Sequence, residues 1–390
     1  VLLTTWGSRG DVEPVVGLAV ALRDLGAQVQ VCAPPDEEFV TLLARAGVPL
    51  VPLGPTVRSL VAGTKPPTPE DAFRFAADLV AARFETLAAA AKGCDVLLAT
   101  GLMPAGARDV AEQLGIPYVF AVLQTYGLPP KRSVAGEDFG AQRADAFYRE
   151  PLNSHRAELG LPPVDNVRDY VFTDQPWLAA DETLCPLDGL TDLDVVQTGT
   201  WVLPDDRPLP DGLDAFLDAS EPPVYVGFGS MASYVPKDIG RVAIEAVRAQ
   251  GRRVVLARGW ADLVPIDDRD DCFVVADVNQ QALFRRVAAV VHHGGAGTTT
   301  TAAMAGVPQV VVPQIGDQPQ FAARVAELGI GAAHDGPTPT VDSLSAALGT
   351  ALTPETRERA KAVAGTMRTD GATVAAKLLI DTASQEKLPA

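Results

Sequence analysis

The sequence predicts an α/β protein built from two open sheets of parallel strands, each covered by helices. Three observations lead there. At 390 residues the chain exceeds an ordinary domain of ~150 residues more than twofold. Strand-sized apolar runs alternate with helical patterns in two separate series, and a proline- and aspartate-rich break lies between them. The composition agrees, because 47% apolar residues with only 6% aromatics is an Ala/Val/Leu-rich balance that suits helices packed on sheets.

Val1 to Thr5 reads as the first strand. A loop from Trp6 to Glu13 follows, and Pro14, with its preset φ and missing N–H, is expected to open a helix that ends near Leu25 and is closed by Gly26. Residues 28–33 form the next strand, which completes one β-loop-α-β unit. The rhythm continues with a short strand near Leu50, an Ala-rich helix over 71–91, a strand over 95–100, a helix over 107–114 and a strand over 118–122. From Gly127 to Tyr170 it fails: prolines and mixed charge leave one weakly periodic helix around 147–159, which we read as an insertion. Between Thr200 and Pro223 prolines and aspartates cluster around one helical pattern at 213–218, the best linker candidate in the chain. The second series then has strands over 224–228, 253–257, 272–276, 288–292 and 309–312, with helices over 238–250, 281–286 and 298–305. Three helical patterns close the chain at 343–352, 355–367 and 373–384. The expected division is a first domain over 1–203, a linker over 204–222 and a second domain from 223 onward.

Thirty-two basic against forty-nine acidic residues give a net charge of -17. Such a field repels phosphate backbones and anionic lipid, so neither nucleic acid nor membrane is an expected partner. Apolar stretches such as 307–312 fall well short of the ~20 residues of a membrane span, and the first residues carry no signal-peptide pattern, so a cytoplasmic location is expected. Cys32, Cys94, Cys185 and Cys272 lie far apart and make neither a zinc motif nor a disulfide framework; reduced, buried thiols are expected. The acidic runs Asp192–Asp194 and Asp267–Asp271 sit in polar connections and read as solvated rather than metal-binding. His155 and His334 are isolated and read as structural.

Open α/β sheets bind ligands beyond the carboxyl ends of their strands, and a cleft between two such domains is the favoured pocket. The first strand-to-helix loop, Gly7-Ser8-Arg9-Gly10-Asp11-Val12-Glu13-Pro14, is neither a P-loop nor a dinucleotide fingerprint. It offers Asp11 and Ser8. A carboxylate there can take the proton of an attacking hydroxyl or cap the helix, and the two roles are compatible. His292-His293-Gly294-Gly295-Ala296-Gly297-Thr298-Thr299 lies between a strand and a helix. Its glycines admit a ligand close to backbone, and the helix start offers free N–H groups and partial positive charge, a fit for a diphosphate. His293 is placed to add a hydrogen bond or a positive charge; the competing reading packs both histidines as strand-end residues. Gly227-Phe228-Gly229-Ser230 and Arg258-Gly259-Trp260 also follow strands; the first could contact phosphate or sugar and the second a nucleobase, but on the residues alone each reads more readily as a turn, with Trp260 half-buried. Asp317-Gln318, a carboxylate beside an amide, suits sugar hydroxyls but also fits a solvated turn.

Several long segments occur in an order that identifies a family. They are G-S-R-G-D-V-E-P at 7–14, N-S-H-R-A-E-L-G-L-P-P at 153–163, T-D-Q-P-W-L-A-A-D at 173–181, G-R-R-V-V-L-A-R-G-W-A-D-L at 251–263, H-H-G-G-A-G-T-T at 292–299, D-Q-P at 317–319 and D-G-P-T-P-T at 335–340. Over nearly its full length the chain resembles the GT-B nucleotide-sugar glycosyltransferases of actinomycete natural-product biosynthesis, in particular those acting on vancomycin- and teicoplanin-type glycopeptides.

The resemblance implies a GT-B fold: two Rossmann-like βαβ domains facing each other across a cleft, an acceptor-binding half over 1–203, a nucleotide-sugar half over 223–368, and a last helix, 369–390, returning to the first domain. It implies a monomer that inverts the anomeric centre, needs neither metal nor cofactor, and takes a UDP- or TDP-sugar and a glycopeptide aglycone as substrates. On the matching positions Asp11 is the general base with Ser8 beside it. His293, Gly295, Ala296, Gly297 and Thr298 form the diphosphate cradle, and Ser230 touches phosphate or sugar. Arg258, Trp260 and Val278 lie at base and ribose, and Asp317 with Gln318 reads the sugar, favouring one rich in hydroxyls. Trp6 and Val12 depart from the pattern, so the loop around Asp11 is expected to be shaped differently. The alternatives are a nucleotide-sugar epimerase of the same architecture, a transferase acting on a macrolide or polyketide, and a non-catalytic helper of the same fold.

Overall fold

The computed structural model describes residues 1–61, 68–131, 138–231 and 234–385. It consists of two compact units, Val1–Leu203 with Arg368–Ala390, and Pro204–Met367.

The first unit is built on a seven-stranded sheet ordered β3-β2-β1-β4-β5-β6-β7, parallel throughout. Its strands are β1 (Leu2–Thr4), β2 (Gln30–Ala33), β3 (Leu50–Pro52), β4 (Leu97–Ala99), β5 (Tyr118–Val122), β6 (Trp177–Leu178) and β7 (Val196–Gln197). Around it lie α1 (Arg9–Asp24), α2 (Glu37–Arg45), α3 (Val57–Val61), α4 (Pro69–Ala90), α5 (Ala107–Leu114), α6 (Phe139–Glu158) and α7 (Val167–Phe172). Leu2, Leu97, Leu53, Leu87 and Val110 meet in one fully buried cluster that joins sheet and helices.

Several expected boundaries move. α1 starts at Arg9 rather than at Pro14, because extended Ser8 (φ -72°, ψ -177°) already serves as its N-cap. Pro14 sits inside the helix, where its missing N–H deprives only the Gly10 carbonyl of a helical donor. α6 begins at Phe139, well before the expected 147, and runs through Pro151; the Asp138 carboxylate caps it by accepting from the Ala141 N–H at 3.1 Å. Residues 132–137 of the expected insertion lie outside the described residues. α2 was not anticipated, nor were α3, α7 and the two-residue strands β6 and β7, which are too short for a periodic pattern to stand out. The last helix, Gly371–Gln385, packs against α1 within the first unit. Its start is fixed tightly. The Gly371 and Gly199 backbones are in direct contact, leaving no room for a β-carbon on Gly371, and the buried Asp181 carboxylate accepts from the Arg368 N–H at 2.9 Å.

The second unit carries a six-stranded parallel sheet ordered β10-β9-β8-β11-β12-β13. Its strands are β8 (Val224–Gly227), β9 (Val254–Ala257), β10 (Cys272–Val275), β11 (Ala289–His292), β12 (Gln309–Val311) and β13 (Gly331–Ala333). The helices are α8 (Leu213–Asp218), α9 (Ile239–Ala249), α10 (Gln280–Leu283), α11 (Ala296–Met304), α12 (Gln318–Glu327), α13 (Val341–Ala351) and α14 (Pro354–Ala364). Side chains alternate between two apolar layers: Val224, Val226, Val254, Leu256 and Val291 enter one, and Tyr225, Val255 and Val290 the other. A parallel sheet buried on both faces reads as a continuous apolar run, as these strands do.

The expected linker, 204–222, is part of the second unit. Leu213 and Leu217 are buried in its core, and the buried Asn279 amide donates to the carbonyls of Asp205 and Arg207, both at 2.8 Å. Proline-rich composition marks a segment without regular ladders, and side-chain hydrogen bonds then do the anchoring. α12 and β13 were also unanticipated. Of the cysteines, Cys32 and Cys185 are buried, whereas Cys94 and Cys272 are half-buried, and all four are free. Among the described residues no helix is long and apolar enough to cross a membrane.

Candidate active site

In the first unit, parallel pairing aligns Thr4 of β1 with Cys32 of β2 and Ala99 of β4, so the turn after β1 emerges at the carboxyl edge of the sheet. Trp6 turns inward: it is buried, donates from Nε1 to the Pro55 carbonyl at 3.3 Å, and lies 4.9 Å from the Phe75 ring. Asp11 falls in the first turn of α1, not in a loop and not at its N-cap. Its carboxylate folds back over Gly7, where any β-carbon would overlap it, and Ser8 Oγ donates to Oδ2 at 3.3 Å. The carboxylate is only half-buried. Glycine and serine thus fix a carboxylate against the turn while leaving it reachable, a suitable pose for a base.

In the second unit, His292 pairs in register with Gly227 on one side and Val311 on the other, which sets the carboxyl ends of β8, β11 and β12 side by side. The sequence candidates that follow these strands therefore converge. The His293 ring lies between Gly229 and Gly295: a β-carbon on Gly229 would stand 3.1 Å from Cε1, and one on Gly295 2.5 Å from Nε2. The Trp260 N–H donates to the Gly229 carbonyl at 2.9 Å, joining the Ser230 and Trp260 turns. Gly294 adopts φ +90° and abuts Gln318, so the start of α12 reaches the same place.

α11 begins two residues earlier than expected, with Gly295 as its N-cap and no side-chain cap. The amides of Ala296, Gly297 and Thr298 occupy its first turn, where no intrahelical acceptor exists. A β-carbon on Gly297 would meet nothing within 4 Å, so this turn faces open space. Aligned N–H groups with a helix dipole behind them favour an anion.

The two histidines differ in role. His292 is fully buried, its Nε2 2.9 Å from Gln309 Oε1, and its Nδ1 accepts from the Gly294 N–H at 3.1 Å; it is a structural residue. Burial, with His293 adding to it, holds His292 down at about 3, and burial alone holds His293 at about 4. His293 is therefore neutral near pH 7 before a diphosphate arrives, and offers a hydrogen bond there. Its buried Nδ1 has no partner among the described residues.

Other expectations need correction. Val278 is buried in the core beside Leu283 and Phe284, so its side chain is not available to a base or ribose. Gln318 is buried, and its Oε1 accepts from the Gln314 and Ile315 N–H groups at 2.8 and 3.1 Å while Nε2 faces Met231 Sδ at 3.3 Å. It shapes the loop instead of reading hydroxyls. Asp317 remains half-buried, with its carboxyl raised above the usual range by burial. Arg258 is exposed, 3.7 Å from Asp262, and Trp260 is half-buried. Asp267 and Asp271 both pair with Arg248 at 2.7 Å, which accounts for that acidic run. His334 is structural, bonded to the Gly336 carbonyl and Ser343 Oγ. Sequence reasoning missed Gln309, whose amide buttresses His292 and donates to the Thr299 carbonyl at 3.3 Å; a lone glutamine in an all-valine strand was the available signal.

Residues 13–148 match the glycosyl transferase 4-like domain family, and residues 262–378 match the erythromycin biosynthesis protein CIII-like, C-terminal domain family. Glycosyltransferase GtfE of Amycolatopsis orientalis is 57% identical over 407 residues, covering 99% of this chain and 98% of the relative. The chain is a GT-B glycosyltransferase of the glycopeptide-antibiotic type. The vancomycin aglycone glucosyltransferase and the dTDP-epi-vancosaminyltransferase of the same organism are 56% and 54% identical, each over 99% of this chain and 98% of the relative. Among solved structures, the glycotransferase of kitacinnamycin superposes on the glycosyltransferase with a TM-score of 0.73 at 23% identity, over 98% of each chain. VinC in complex with dTDP gives 0.69 at 23%, over 98% of this chain and 99% of VinC. At such identities these two speak for the fold.

Proposed function

We propose that this glycosyltransferase moves a hexose from a UDP- or TDP-sugar to a hydroxyl of a glycopeptide aglycone, with inversion and without a metal ion. The new bond joins the acceptor oxygen to the anomeric carbon as the bond from that carbon to the diphosphate oxygen breaks. The acceptor proton passes to Asp11, and the electron pair leaves on the nucleoside diphosphate. The observation that carries this reading is the uncapped first turn of α11, Ala296 to Thr298, facing open space beside a neutral His293. Preorganised amides aimed at developing negative charge stabilise the leaving group without reorganisation, and His293 contributes a hydrogen bond. Asp317 is the remaining candidate to accept from sugar hydroxyls. The names of the relatives, one acting on vancomycin aglycone and one transferring from a dTDP-sugar, support the substrate classes.

The test is a panel of UDP- and TDP-hexoses with a glycopeptide aglycone, read by mass spectrometry with and without chelator. A mass gain of one hexose that persists in chelator is expected, with the opposite anomeric configuration to the donor. Conversion of donor in the absence of any aglycone would favour an epimerase instead, and an absolute need for a divalent ion would overturn the metal-free mechanism.

A further inference from the structure

The first unit buries a guanidinium without pairing it to a carboxylate among the described residues. Arg83, on α4, is 1% exposed, and among the described residues no carboxylate lies within salt-bridge distance of it. Its donors are spent on backbone: Nη1 reaches the Met103 carbonyl at 2.6 Å and the Ala105 carbonyl at 3.5 Å, and Nη2 reaches the Leu102 carbonyl at 2.6 Å. Burying a guanidinium is costly unless its donors are satisfied, and a buried apolar residue would fill the same space without that cost. Burial lowers its pKa to about 10, which still leaves it charged near neutrality. The loop it grips is the one that follows β4.

That loop is coupled to the turn carrying Asp11. The Leu102 N–H donates to the Trp6 carbonyl at 2.9 Å. Gly101, at φ +79°, packs so closely that a β-carbon there would stand 2.7 Å from both the Trp6 carbonyl oxygen and Thr5 Oγ1. The Trp6 carbonyl belongs to the peptide that leads into Gly7, the residue against which the Asp11 carboxylate rests. Leu102 itself is 41% exposed, so its apolar side chain borders the same edge of the sheet.

We propose that Arg83 is a positioning residue for glycosyl transfer: by clamping the carbonyls of Leu102 and Met103 it holds the loop that braces the Trp6–Gly7 turn, and through it the Asp11 carboxylate. The inference rests on the reading of Asp11 as the base. Arg83 is buried and grips backbone of the first unit, whereas the candidate diphosphate cradle belongs to the second, so its loss should act on turnover and not on donor binding.

The test uses the full-length enzyme with a nucleotide hexose and a glycopeptide aglycone. Arg83→Met is expected to lower kcat by about tenfold to a hundredfold, the scale of a small misplacement of a reacting group, with donor KM unchanged within about twofold and the acid limb of the pH–rate profile displaced. Arg83→Lys, able to hold one carbonyl, should recover part of that loss. Gly101→Ala, which disturbs the same loop without altering Arg83, should reproduce the kcat defect, and with Arg83→Lys it decides the matter where Arg83→Met does not fold. Folded Arg83 variants with wild-type kcat and pH profile, or with donor KM rising as much as kcat falls, would overturn the inference. Asp11→Asn, measured alongside, separates the two ideas. Wild-type turnover in that variant defeats the base itself, whereas a slow Asp11→Asn enzyme beside fully active Arg83 variants defeats the clamp alone.

Discussion

The imidazole of His293 occupies the space into which a side chain on Gly295 would project, with Nε2 2.5 Å from the position of that β-carbon. The N-cap of α11 is thus glycine for a packing reason, since an uncapped helix start and a close-packed ring must share one residue's volume. Gly295→Ala should displace the ring from the first-turn amides. A donor KM raised about tenfold, the worth of roughly one hydrogen bond, is expected with little change in acceptor KM, measured by steady-state kinetics. Unaltered donor KM would separate His293 from donor binding.

Stability should depend on pH through the same pair. The folded protein holds His292 at about 3 and His293 at about 4, against ~6.5 in an unfolded chain. Between those limits the unfolded state binds more protons, so this contribution is complete above pH 6.5 and is lost as pH falls toward 4. The slope is about 1.4 kcal/mol per pH unit for each proton taken up. Urea midpoints measured from pH 7.5 down to 4.5 test this; a flat profile from 7 to 5 would mean the rings are not buried as neutral groups.

Asp11→Asn keeps the hydrogen bond from Ser8 available while removing the basic oxygen. Turnover is expected to fall by about 10²- to 10⁴-fold, the usual contribution of a general base, with nucleotide binding by calorimetry unaffected. Gly7→Ala should fall between this variant and wild type, because its methyl group pushes the carboxylate off its seat.

The anchoring of 204–222 can be tested apart from catalysis. Asn279 supplies three hydrogen bonds, two donated to the Asp205 and Arg207 carbonyls and one accepted from the Ala282 N–H. Asn279→Ala strands buried partners and should cost about 1–3 kcal/mol, read as a lowered thermal midpoint. Amides of 205–207 should then exchange faster than those of β8.

The strands and helices that repeat in the sequence were legible where pattern and length reinforced each other. α5, β5 and α8 fall on their expected residues, each being a periodic run bounded by glycine, proline or acidic breakers. The glycine-rich turns after β1 and β11 were legible as strand-to-helix connections, since glycines directly after an apolar run mark the end of a strand. What misled was local chemistry with two outcomes. Pro14 reads as a helix start, yet Ser8 had already started the helix. Gln318 reads as a sugar contact, yet the nearby Gln314 and Ile315 amides take its oxygen first.

Sequence alone determined the two-series α/β architecture, the family, and the residues that gather at the strand ends, because period, breaker residues and glycine spacing are properties of neighbours along the chain. Tertiary structure decided which of those residues stay available for chemistry. The charge state of His293, the inward turn of Val278 and the grip of Arg83 on a distant loop all depend on what packs around them, and burial and long-range hydrogen bonding join residues that no local pattern connects.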